Sequence, residues 1–139
     1  MKGGLTIKHK LIITSLAILF SLAGCSQPDQ NQEIIVEKVE EGTTVETVHT
    51  ITNKNDIERL ETTLENERWS KIDLYTGTDL MFTLNDQKVD VLLHTRDNSI
   101  EMVRPSKDGN ERAVILHEEA ESFYELLTGD SLADVEEES

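Results

Sequence analysis

Apolar residues fall into three regimes along the chain. From Leu11 to Leu22 they run almost unbroken, interrupted only by Thr14, Ser15 and Ser21. Beyond the polar stretch Ser26 to Gln32 the run dissolves into short segments of period two or of helical period. Glu33 to Val39 and Thr43 to Ile51 are β-branched stretches parted by Glu40-Glu41-Gly42, which predicts a hairpin. Asn55 stands three residues ahead of Glu58, and Asp56 and Glu58 suit the positive end of a helix dipole, so a helix capped by Asn55 is expected. Ile57, Leu60 and Leu64 at i, i+3 and i+7 give that helix one apolar stripe about three turns long.

After Trp69 the period falls to two. Ile72 and Leu74 alternate with Asp73 and Tyr75; Leu80, Phe82 and Leu84 with Met81 and Thr83; Val89, Val91 and Leu93 with Asp90, Leu92 and His94. Turn-forming residues separate these runs at Thr76 to Asp79, Asn85 to Gln87 and Arg96 to Asn98. Ile100 to Val103 and Ala113 to Leu116 form another pair joined around Asp108-Gly109. Ala120, Phe123, Tyr124 and Leu127 return to the helical period, with Glu118 and Glu119 in the first turn and Gly129 placed to end it. Connections this short favour antiparallel neighbours. The expected fold is therefore α+β: a small antiparallel sheet of about five or six strands with two amphipathic helices on one face.

The long apolar run belongs to something else. Lys2, Lys8 and Lys10 precede it, and Leu22-Ala23-Gly24 lead into Cys25, the chain's single cysteine. Positive, apolar and small-residue segments in that order make a signal peptide, and its apolar part is shorter than the roughly 18 residues expected of a membrane span. A cysteine just after the small residues marks a lipobox. Cleavage between Gly24 and Cys25 would leave Cys25 as the N-terminus, its sulfur carrying diacylglyceryl and its amine available to a further acyl chain such as palmitate. One acyl chain binds a bilayer only marginally, at roughly 0.8 kcal/mol per buried CH₂, whereas two anchor stably. With no second cysteine, neither a disulfide framework nor a redox or zinc pair can form. The expected division is a lipoprotein signal peptide over 1–24, a lipidated tether and possible first strand over 25–42, the α+β domain over 43–129 and an acidic, frayed tail over 130–139. The expected location is the extracytoplasmic side of the cell membrane.

Removing the leader sharpens the charge. All 28 acidic residues follow Cys25 but only ten of the 13 basic ones do, so residues 25–139 carry a formal −18. Nucleic acid and anionic headgroups are excluded as partners, since both gain affinity from basic surfaces. The simplest role of such acidity is solubility at the envelope; recruitment of divalent cations is the functional alternative.

Motifs that carry chemistry are few. Nucleophile-elbow, phosphate-loop and dinucleotide signatures are missing from the sequence. His117-Glu118-Glu119-Ala120-Glu121 begins like the zinc motif H-E-x-x-H but has Glu121 where the second histidine belongs. Asn53 to Glu58 opens like an EF-hand loop yet lacks its sixth-position glycine, so a helix start is the better reading. His49, His94 and His117 would need to converge to bind a metal. Trp69 and Tyr75 read either as core plugs or as a ligand platform, with core preferred for Trp69. Glu118/Glu119 and Glu136/Glu137 are sequence neighbours and do not face each other across a cleft, as an acid/base pair must. No catalytic, metal or cofactor residue is therefore assigned.

The Leu-Ala-Gly-Cys leader, the helix opening ITNKNDIERLETTL, the meander from Leu80 to Leu116 and the closing helix through Phe123 and Leu127 together resemble small YhfM-like lipoproteins of Gram-positive bacteria. The resemblance covers roughly Thr43 to Gly129 and the leader. It implies location and fold, and brings no activity with it. The expected function is a membrane-anchored, non-enzymatic binding module that offers a sheet face or strand edge to a peptide, wall polymer or envelope protein. The alternatives are a small metal-assisted hydrolase using His94 or His117 with nearby carboxylates, and a divalent-cation-binding envelope protein.

Overall fold

Alternating residues from seven strands make one fully antiparallel sheet in the computed structural model, which describes residues 32–135. The expected leader, the expected Gly24–Cys25 cleavage site, the expected tether through Asn31 and the Glu136/Glu137 pair lie outside the described residues. The strands are β1 (Ile34–Glu40), β2 (Thr43–Ile51), β3 (Ser70–Ile72), β4 (Leu80–Leu84), β5 (Gln87–His94), β6 (Ser99–Ser106) and β7 (Gly109–Leu116). Helix α1 (Lys54–Asn66) follows β2, and α2 (His117–Thr128) follows β7 and leads to a 3₁₀ turn at Leu132–Asp134. In space the strands run β2-β1-β4-β5-β6-β7-β3. Among the described residues no helix is long and apolar enough to cross a membrane.

Register explains the core. Leu80 pairs with Val91, Val91 with Met102 and Met102 with Ala113, a row of apolar side chains on one face of four strands. Leu93, Ile100 and Ile115 make the row beside it. The stripes of both helices, Ile57, Leu60 and Leu64 on α1 and Ala120, Phe123 and Leu127 on α2, enter the same buried cluster. Both helices thus cover one face, as expected of an α+β layer pair. Two hairpins close through two-residue turns whose residues both have positive φ, Glu41-Gly42 and Asn85-Asp86, matching the twist of the strands they join. Gly129 ends α2 at φ 78, with its N–H donating to the Glu125 carbonyl at 2.8 Å.

Four expectations are corrected. The sheet has seven strands and not five or six, because β1 is a complete strand and Ser70–Ile72, too short to display a period, pairs with β7. Leu74 is 89% exposed and lines no sheet face. The chain must leave the sheet after Ile72, since reaching β4 from the β3 edge means passing β7, β6 and β5. Asn53, not Asn55, caps α1: its side-chain oxygen accepts the Asn55 N–H at 2.9 Å, which puts Asp56 rather than Glu58 in the first turn. Finally, the packed domain is wider than 43–129. Ile34 and Val36 belong to the core, and so does Leu132, 1% exposed within the stretch expected to fray.

Candidate functional site

Strand β2 is the outermost strand on one side of the sheet. Its inner side pairs with β1 along its whole length, and among the described residues no strand pairs with its outer side. Seven of its nine residues are exposed, including Val45 at 49%. Threonine and valine suit an extended strand, and an unpaired ladder of main-chain donors and acceptors is a template for another strand. Register shifts at Val36/Glu37 and Lys38/Val39 mark two bulges, with Val48 and Val45 as the extra residues of β2. Bulges of this kind add twist and discourage flat edge-to-edge association. The opposite edge, β3, has only three residues.

A cleft of about 910 Å³ opens beside β2. Its walls are Glu46 and Val48 of β2, Lys38 to Glu40 of β1, the end of β5 and the turn after it from Leu93 to Asp97, Tyr124 of α2, and residues of the segment from Asp130 to Val135. Glu46 pairs with Lys38 and Lys38 with Leu80, so all three point toward the helix-covered side. Carboxylates outnumber cations in the lining, with Glu40, Glu46, Asp79, Asp97, Asp130 and Asp134 against Lys38 and Arg96. Lys38 is engaged by Glu40 at 2.8 Å. Val39, Val48, Leu80, Leu93 and Val135 supply apolar wall between them.

Two contacts fix this geometry. Asp79 sits between β1 and β5: its carbonyl accepts the Val39 N–H at 2.9 Å and its side chain accepts the Leu93 N–H at 2.7 Å. Glu121 of α2, behind the segment that lines the cleft from Asp130 to Val135, accepts from the Ser131 hydroxyl at 2.5 Å and from the Leu132 N–H at 3.1 Å, clamping that segment onto α2. The carboxylate that stands in place of a zinc-motif histidine is therefore a clamp. Burial pushes the Tyr124 hydroxyl above its ordinary pKa; a hydrogen bond with Thr128 opposes this, and Asp130, Asp79 and Glu121 add to it.

A smaller groove of about 430 Å³ lies between α1 and α2, lined among others by Arg59, Glu67, Glu118 and Glu119. Burial raises the Glu67 pKa, and the neighbouring Glu119 carboxylate raises it further. Glu118 and Glu119 both line this groove.

The other candidates are dispersed. His49 lies near the end of α2, where a Cβ placed on Gly129 would be 4.0 Å from its ring. The ring of His94 is 3.2 Å from the Glu101 carboxylate, which in turn faces Arg112 at 3.6 Å. His117 begins α2 at φ 53, its N–H donating to the Asn98 carbonyl at 2.8 Å. Among the described residues no three His, Cys, Asp or Glu side chains gather as metal ligands. Trp69 packs against the margin of the core: its indole N–H donates to the Leu64 carbonyl at 2.8 Å, and the Arg104 guanidinium stacks 3.8 Å from its ring centre.

Tyr75 has a different task. Its hydroxyl donates to the Asp90 carboxylate, which is buried on the helix-free face with Lys88 at 3.4 Å. That bond secures the long β3–β4 connection across the sheet. Hydrogen bonding to Asp90, then burial, then the Asp90 charge push the Tyr75 pKa up to about 12.

Sequence reasoning gave β2 its place in a hairpin but not its outermost position. The signal available was the absence of an apolar face along Thr43 to Thr50, where a strand covered on one side would show alternation. No protein-family model, curated protein or solved structure matches this chain.

Proposed function

We propose that the chain is a lipoprotein anchored through Cys25 on the extracytoplasmic side of a bacterial cell membrane, and that its domain is a non-enzymatic binding module working through the β2 edge. The leader with its Leu-Ala-Gly-Cys ending supports the anchor. The nine-residue open strand beside a cleft is the observation that carries the binding reading. Strand addition needs little more than an exposed ladder: main-chain hydrogen bonds each contribute about 0.5–1.5 kcal/mol net, and alternate side chains provide selectivity. Eight residues lie between Cys25 and Ile34, a span of at most roughly 30 Å, so the partner is an envelope protein or peptide close to the bilayer.

A photo-crosslinking side chain placed at Val45 in the full-length protein, in the cell envelope that produces it, tests the reading. A discrete adduct from Val45 that is missing from the same probe at Lys107, in the β6–β7 turn, is the expected result. Equal labelling from both positions, or no discrete adduct from Val45, contradicts it.

A further inference from the structure

We infer that the segment received by β2 is a cationic, extended peptide with lysine or arginine at alternate positions, whose charged heads reach into the adjoining cleft. This rests on β2 being the binding edge and adds the chemistry of its occupant.

A strand laid beside β2 lies roughly 4.8 Å from it and sends every second side chain to the helix-covered side. On that side stands Glu46, with Val48 next to it at the mouth of the cleft. Asp130 and Asp134 line the segment held by Glu121, and Val48, Leu93 and Val135 give the cleft apolar patches. Long basic side chains match such a lining, since their aliphatic stems cover apolar surface while their heads pair with carboxylates. Successive same-side residues of a strand are roughly 6.7 Å apart, so a Lys-x-Lys pattern places more than one charge along the cleft mouth.

Charge also selects among occupants. A second copy would bring another chain whose residues 25–139 carry a formal −18 against the first and set acidic cleft beside acidic cleft. The two bulges of β2 further disfavour flat self-pairing. An anionic wall polymer meets the same repulsion, and a neutral one gains nothing from the carboxylates.

Full-length protein in detergent micelles, titrated with a labelled eight-residue peptide of alternating Lys and Val, tests the inference. Glu-Val and Thr-Val peptides of equal length serve as comparators. The Lys-Val peptide should bind at least tenfold more tightly than either, and raising the salt to 0.5 M should remove most of that advantage. Replacing Glu46, Asp130 and Asp134, all exposed, with Gln, Asn and Asn should weaken binding about tenfold. Equal neutralisation elsewhere, by Glu58→Gln, Glu65→Gln and Glu125→Gln, should change it less than twofold. Val45→Pro should weaken all peptides that use the edge.

Equal binding of all three peptides, still lost in Val45→Pro, overturns the cationic preference and leaves the edge reading standing. Cationic binding that is indifferent to Val45→Pro, in a variant whose unfolding curve shows an intact fold, overturns the edge reading and the inference with it. Equal weakening by the two triple neutralisations reduces the effect to net charge and overturns the cleft.

Discussion

Leu132→Ala probes the least obvious part of the fold. Leu132 lies beyond the last helix in a strongly acidic stretch, yet it is 1% exposed and belongs to the core. Truncating a buried leucine to alanine costs about 2–5 kcal/mol, from lost transfer energy and from the cavity left behind. Leu132 sits close to the end of the described chain, where the 3₁₀ turn can settle inward, so the lower part of that range, about 2–3 kcal/mol, is expected. In a domain of this size each kcal/mol moves the melting temperature by roughly 4–8 °C, which makes the expected drop roughly 10–20 °C. Urea unfolding followed by the fluorescence of Trp69, the only tryptophan, measures it directly. The urea dependence should keep its slope, because about the same surface is exposed on unfolding. Glu121→Gln keeps the Leu132 side chain but weakens the clamp, and should cost about 1 kcal/mol. A Leu132→Ala loss below about 0.5 kcal/mol would show that residues after Gly129 do not belong to the folded unit.

Three further outcomes can be checked on the same protein. Asn53→Ala should cost about 1 kcal/mol in urea unfolding, and Asn55→Ala clearly less, because the cap oxygen belongs to Asn53. The folded-state pKa of Tyr75 stands near 12 against an ordinary 10, so the fold holds this proton more tightly than the unfolded chain does. Its stabilisation is complete below pH 10 and lost as the pH rises from 10 to 12, by on the order of 1 kcal/mol once solvent screening is allowed for. Tyr75→Phe should flatten that decline. Glu67 also has a raised pKa, so its charge opposes folding above that pKa and the opposition is relieved as pH falls through it. Glu67→Gln should therefore stabilise the protein at pH 7, by less than about 1 kcal/mol for a half-exposed group.

How far the sequence reaches depends on how local each feature is. The β4–β5 hairpin is legible because Leu80, Phe82 and Leu84 face Val89 and Val91 across a turn of two residues that adopt positive φ. Both helices are legible because their apolar stripes repeat faithfully. The α1 cap is harder: Asn53 and Asn55 are two residues apart, and only the hydrogen bond at Asn53 separates them. Ile72 and Leu74 alternate as a strand would, but the need to cross three strands takes Leu74 out of the sheet. Leu132 has one apolar neighbour at helical spacing, Val135, set in an acidic stretch, and that single pair is too short a pattern to announce it.

The candidate site is less legible still, because it depends on spatial order. β2 is outermost since β1 finds its second partner in β4, more than 40 residues ahead in the chain. The cleft gathers residues from Lys38 to Val135, and nothing in their local spacing marks them as neighbours. Its acidity was visible only as overall charge.

The claim on which location and partner both depend is the anchor at Cys25. Mass spectrometry of the N-terminal peptide, taken from protein extracted from the cells that make it, tests that claim most directly. A lipoprotein gives a chain that begins at Cys25 with the added mass of a diacylglyceryl thioether. A chain that begins at Met1, or one cleaved with an unmodified Cys25, would contradict it.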